Sequence, residues 1–209
     1  LSNFSANQGG GSSAGEIPAF DPGTNRLFVT SSNATAAVHQ INIFDLSNPA
    51  APSAIGNIGF TNAFGDGNLY GLSSVAVDPS GRGFGVATLI PTNRTSTLGR
   101  LGFFETATGN LLGTVEVGYH PDMVGFSGDG SRLVVANEGE YDGVSGVNTP
   151  GSISLLDLSS INSGNLGSIS GLIASTFDFS AANLAPTATL NGVRNPSIAA
   201  VGTSGTFIG

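Results

Sequence analysis

Carboxylates crowd one stretch of this chain. Six of its fourteen acidic residues, Glu116, Asp122, Asp129, Glu138, Glu140 and Asp142, fall between positions 116 and 142, where only Arg132 and His120 can offset them. Carboxylates held close together repel, and a bound cation relieves that cost. Hard oxygen donors suit Ca2+ or Mg2+. Asp122, Glu138 and Glu140, joined by the upstream Glu16, are the candidate metal ligands. The alternative is structural: Asp122 and Glu138 cap loops by accepting backbone N–H bonds, while Glu140 and Asp142 are solvated. His120, just ahead of Pro121 and Asp122, has the location of a ligand or general acid, or it packs beside Tyr119 as a loop residue. His39 has no acidic neighbour in sequence.

Other chemistries find little support. The chain has no Cys, so no disulfide or thiol chemistry, and no H-E-x-x-H pair. Gly81-Arg82-Gly83-Phe84-Gly85 lacks the spacing and the helix of a dinucleotide-binding loop. A serine hydrolase is not expected. A net charge of -8, with six Arg and no Lys, repels nucleic acid and anionic membrane surfaces. No apolar run approaches the ~20 residues that cross a bilayer, so no membrane insertion is expected. Sequons begin at Asn3, Asn33 and Asn93, and chance explains them in so Asn- and Thr-rich a chain.

The elements that must position these groups are short strands. Charged residues make up only 10% of the chain and Gly contributes 32 of 209 positions, which suits many tight turns rather than long helices. Residues 1–15 read as an arm. From Glu16, a short strand, an Asp21-Pro22-Gly23 turn and a strand through Leu27, Phe28 and Val29 follow, then a third strand ending at Phe44-Asp45-Leu46. The order recurs with the Asp78-Pro79-Ser80-Gly81 turn and the strand end Phe104-Glu105-Thr106. It recurs again with Gly128-Asp129-Gly130 and Leu156-Asp157-Leu158.

Two landmarks measure the period. Arg26, Arg82 and Arg132 are 56 and 50 residues apart, and Asp45, Glu105 and Asp157 are 60 and 52 apart. A repeat of roughly 40–50 residues holding four strands is the signature of a β-propeller blade, stretched here by long loops. The expected fold is therefore all-β: a propeller of three blades (16–70, 71–118 and 119–180) and part of a fourth (190–209), an incomplete ring. Ser175–Phe179 is expected as the third blade's outer strand and Ala181–Leu184 as one helical turn. Phe20, Phe28, Phe44, Phe60, Phe103, Phe104 and Phe126 read as core between blades. Glu16, Ser73 and Asp122 share one repeat position, on the face that also carries the bend of Glu138 and Glu140. The three turn arginines belong on the opposite face, each tying its turn.

Three segments carry a resemblance to a known family: LSNFSANQGGGSSAGEIPAFDP, VGYHPDMVGFSGDGSRLVVANEGE and NTPGSISLLDLS. Over about Leu1–Ser160 the chain resembles the choice-of-anchor I family, secreted or surface β-propellers related to the YVTN type. It departs from the family pattern at Gly128-Asp129-Gly130, where Pro-Asp-Gly is usual, and at Pro150 before Gly151, where an acidic residue is usual. The resemblance implies a secreted, extracellular or cell-surface protein acting as a binding or structural module. Some relatives look like atypical alkaline phosphatases or phytases, so a metal-dependent phosphoester hydrolase is the alternative. Such propellers have more blades than are present here. The remainder of the same polypeptide, or a second chain, is expected to complete the ring, and a surface assembly is a further expectation.

Overall fold

The computed structural model describes residues 17–33, 38–60 and 71–178. The expected arm, Glu16, the helical turn at Ala181–Leu184 and the fourth unit at 190–209 lie outside them. Among the described residues are three four-stranded antiparallel sheets, each laid out in chain order. The first contains β1 (Pro18–Asp21), β2 (Arg26–Asn33), β3 (Val38–Asp45) and β4 (Ser53–Gly59). The second contains β5 (Gly71–Val77), β6 (Phe84–Ile90), β7 (Arg100–Glu105) and β8 (Leu111–Glu116). The third is built from β9 (Pro121–Phe126), β10 (Arg132–Asn137), β13 (Ser152–Asp157) and β14 (Ser175–Asp178). A small hairpin, β11 (Glu140–Tyr141) and β12 (Asn148–Thr149), interrupts the third sheet, and a 3-10 helix, Leu166–Gly171, precedes β14. These are propeller blades, and they do not close a ring among the described residues.

The blades stack face to face. The face of blade 1 carrying Phe28, Ile41 and Ile43 packs on the face of blade 2 carrying Val75, Ala87, Leu89 and Phe104. The opposite face of blade 2, with Phe84, Val86, Leu101 and Phe103, packs on Val124, Leu133, Val135 and Leu156 of blade 3. Phe28 meets Phe104 at 5.1 Å between ring centroids, and Phe84 meets Phe126 edge-on at 5.8 Å. Each such side chain, removed from water, contributes about 1.5–3 kcal/mol. Of the expected inter-blade phenylalanines, Phe20 differs: at the edge strand β1 it is 46% exposed. Gly102 lets the sheets approach, since a Cβ there would lie 2.5 Å from the Phe60 ring. Strand β4 was not expected from the sequence, because Ser53–Gly59 is exposed at all but Ile58 and shows no core alternation.

Hydroxyls fasten the inner strands across the seams. Ser73 donates to the Pro121 carbonyl at 2.8 Å, and the Val124 N–H donates to Ser74 Oγ at 3.3 Å. On the other seam, Ser32 Oγ donates to the Leu72 carbonyl and accepts from its N–H.

At the turn end of the seams, the three arginines do not occupy one repeat position. The N–H groups of Leu46, Thr106 and Leu158 donate to the carbonyls of Asn25, Gly83 and Ser131, so Arg26 and Arg132 are equivalent to Phe84. Arg82 lies two residues earlier, inside its turn, which is one residue longer than the other two. Its role differs accordingly. All five guanidinium N–H groups are used: two on Asp78, and one each on the carbonyls of Gly130, Leu158 and Ile161 of blade 3. The Asp78 side chain is fully buried. Gly130 sits directly over this pair with φ +72, where a Cβ would lie 2.5 Å from Asp78 Oδ1. Arg26 likewise crosses its seam, donating to the carbonyls of Thr106 and Ala107 in blade 2. Arg132 pairs with Asp157 at 2.6 Å within its own blade, in the open.

Burial pushes the Asp78 carboxyl upward, but the hydrogen bonds from Arg82 and Ser80 and the Arg82 charge outweigh it, and its pKa is lowered. Its contribution to stability is therefore complete above the ordinary Asp value near ~4 and is lost as pH falls through its own lower value. In acid titrations of unfolding, Asp78→Asn should flatten the loss of stability below pH ~4 relative to wild type. An unchanged acid limb would show that other carboxylates carry it. Arg82→Met should lower the urea unfolding free energy by about 3–5 kcal/mol, since it strands a buried carboxylate, whereas Arg132→Met should leave the unfolding midpoint in place. Equal shifts in the two variants would show that the seam gains nothing from Arg82.

Candidate functional site

The face opposite these turns holds the starts of the inner strands and the bends after the second strands. In blade 3 the two are tied together: Glu138 N–H donates to the His120 carbonyl at 2.9 Å, and Gly139 N–H to the Tyr119 carbonyl at 3.2 Å. His120 takes φ +50, a left-handed conformation costly for a residue with a side chain. Gly139 makes the bend at φ +70, and a Cβ there would lie 2.5 Å from the Thr149 carbonyl oxygen. The chain then enters the β11–β12 hairpin, closed by Glu140 N–H on Thr149 Oγ1 at 2.7 Å.

That bend brings Glu140 between Arg94 and His120. Glu140 Oε2 lies 2.6 Å from Arg94 Nε and 2.9 Å from His120 Nδ1. Buried Oε2 and Nδ1 make no aligned hydrogen bond. The contacts are thus close but not aligned as hydrogen bonds. Arg94 comes from the loop after β6, so this cluster bridges blades 2 and 3. Arg94 also helps to hold Asp142 ionised. The Asp142 pKa is lowered first by the Ser145 hydroxyl, then by the Val144 N–H, with the Arg94 charge adding a smaller effect. Asp129, on the turn face, is lowered to about 2 by hydrogen bonds from Ser127 and Ser131. Burial lowers the pKa of His39 and favours its neutral form.

The candidate ligands are thus distributed unevenly. Glu140 is half-buried and paired rather than solvated. Asp142, not Asp122 or Glu138, is the carboxylate that caps a loop, accepting from Val144 N–H and Ser145 Oγ. Asp122, second in β9, and Glu138, just after β10, stand exposed with no ion pair among the described residues. Glu16 lies outside those residues. No three His, Asp or Glu side chains among the described residues come together as ligands would around a metal ion. Arg94 escaped the sequence reading. The repeat would have located it, because the bend after a second strand shares a face with the next blade's inner strand.

One G-x-S-x-G string does occur in the chain, Gly11-Ser12-Ser13-Ala14-Gly15. It falls outside the described residues, in a Gly/Ser-rich stretch. A separate cleft of about 400 Å3 opens at the outer rim between blades 2 and 3, lined by Leu98, Val115, Glu116, Leu172, Ile173 and Thr176 among others.

The Choice-of-anchor I domain matches residues 16–206. The chain belongs to this family. The match runs further toward the C-terminus than the Leu1–Ser160 resemblance. No curated protein matches the chain. Among solved structures, this choice-of-anchor I domain is similar to the Kuenenia stuttgartiensis hydrazine synthase, with 18% identity and a TM-score of 0.49, over 79% of this chain and 37% of that one. It is similar to a Dos1 propeller (12% identity, TM-score 0.44, 72% of this chain and 46% of that one). It is also similar to the Myceliophteria thermophila Cps50 (Swd1) propeller domain (13%, 0.41, 64% and 35%). The chain spans less than half the length of each.

Glu140 anchors the hairpin of the choice-of-anchor I domain to blade 2, which leads to a test. Glu140→Gln should speed amide exchange from Tyr141 to Asn148 by about tenfold while leaving strand β10 protected. Unchanged exchange in the hairpin would show that backbone bonds alone hold it.

Proposed function

We propose that this domain is a non-catalytic binding or surface-structural module, exported to the cell surface or beyond, that works through its acidic loop face. One observation carries the reading. On that face, Asp122 and Glu138 stand exposed and unpaired among the described residues, while the half-buried Glu140 and His120 are taken up in a contact that braces two blades. A nucleophile or general acid needs a free, positioned atom. Display of carboxylates on braced loops instead suits capture of a cation or of a basic partner. Membership of the choice-of-anchor I family supports export. Ca2+ or Mg2+ is the proposed cation, with Asp122 and Glu138 as first ligands and Glu16 as a further donor. Glu140 would have to exchange Arg94 for the metal.

The test is a Ca2+ titration of the intact protein by calorimetry and thermal melting, with and without the Asp122→Asn/Glu138→Gln pair. Binding in the range of about 10^-4 to 10^-3 M, typical of extracellular Ca2+ modules, should appear in wild type and disappear in the double variant. No heat and no thermal shift in wild type would remove the cation from the reading. Phosphomonoester turnover that a chelator abolishes would overturn the non-catalytic assignment in favour of a metal-dependent hydrolase, in which the metal would polarise the phosphate.

A further inference from the structure

We propose that strand β4 is a docking edge on which a second copy of the chain adds its own β4, antiparallel and about a two-fold axis, so that two blades join into one continuous sheet. β4 (Ser53–Gly59) is the outer strand of blade 1 and pairs with β3 alone among the described residues. The N–H and C=O groups along its other side are left for a further strand. Its seven residues, Ser-Ala-Ile-Gly-Asn-Ile-Gly, carry no charge, and all but Ile58 are exposed. Ile55 is 47% exposed, at the bulge where Phe44 pairs with Ala54 and Ile43 with Gly56. The other two blades protect the same edge. In blade 2 the 3-10 helix lies against β8, where a Cβ on Gly113 would be 2.7 Å from the Ser170 Cβ, and β8 ends on Glu116. In blade 3, β14 has four residues and carries Asp178. Cover, charge and shortness are the devices that keep sheet edges apart. Among the described residues, β4 has none of them.

The occupant follows from charge. A net charge of -8 opposes association of the chain with itself, and β4 is where that repulsion is least. A two-fold contact needs a surface complementary to itself. Paired antiparallel about its middle, β4 sets uncharged residues against uncharged residues throughout. The acid beside it, Asp45, stands opposite Ser53 at one end of the strand. The two-fold axis sends the two copies of Asp45 to opposite ends of the joined strands, about 20 Å apart at ~3.4 Å per residue. That exceeds the distance of ~8 Å over which exposed charges act at physiological salt. The contact uses none of the carboxylates of the proposed cation face, and it stands whether or not that face binds a cation.

Sedimentation of the intact protein tests this. Its mass should rise to twice the monomer value as concentration increases from about 1 to about 100 µM. The pair Ile55→Lys/Asn57→Lys puts charge on the edge at exposed positions and should hold the protein at the monomer mass with unchanged circular dichroism. Asn57→Lys alone serves should the pair fold poorly. Val144→Lys, at a position 99% exposed in the β11–β12 hairpin, should leave the doubling intact. Amide exchange in Ser53–Gly59 should slow over the same rise in concentration and stay fast in the Lys pair. A wild type that remains monomeric at the upper concentration would overturn the proposal. So would a dimer that survives the Lys pair, which would assign the contact to another surface, or β4 amides protected equally at every concentration, which would give the edge to another segment of the same chain.

Discussion

A four-stranded sheet whose two faces are both apolar cannot stand alone in water, and this requirement shapes the rest of the molecule. Blade 2 meets it fully, with Leu89 and Phe104 buried on one side and Val86 and Phe103 on the other. Non-directional packing of this kind holds two sheets together but sets their mutual register only loosely. Directional contacts at the two ends supply what packing lacks. Serine hydroxyls fasten the inner strands, and at the turn end one guanidinium collects Asp78 and three carbonyls of the next blade. Arg82 is tolerated there because every donor is satisfied and its charge is matched.

Braced seams leave the loop face free to vary. The His120 and Glu138 backbones are tied to one another, and Arg94 reaches across from blade 2 to hold Glu140. A rigid scaffold presenting polar loops is the usual ground for binding. In the choice-of-anchor I domain, those loops carry negative charge that long-range electrostatics would direct toward cations and basic surfaces. Paired carboxylates and exposed ones thus divide the work: the former hold the loops, the latter face solvent.

The strand order, the turns and the period were legible in the sequence because each blade repeats the same local chemistry, Asx-type turns between apolar runs. Strand β4 was not, since an outer strand with only Ile58 buried carries no alternation to read. The equivalence of Arg26, Arg82 and Arg132 that their spacing suggested fails for Arg82, which lies inside its turn two residues ahead of the shared position, because spacing along the chain does not distinguish a turn residue from the first residue of the next strand. Glu140 and Asp142 were both read as solvated in the structural alternative; Asp142 instead caps its own loop, and Glu140 is ion-paired, which could not be read without knowing that Arg94 arrives from another blade.

The sequence by itself determined the all-β class, the four-stranded repeat and the end of the blades on which Asp122, Glu138 and Glu140 lie. Local periodicity and turn chemistry suffice for that, being properties of neighbours along the chain. Only the tertiary structure decided which arginine is buried, which carboxylate is neutralised, and which sheet edge is left open. Those outcomes depend on contacts between residues some 40 to 80 positions apart, such as Arg82 with Leu158 and Arg94 with Glu140, and no local pattern encodes the partner waiting across a seam.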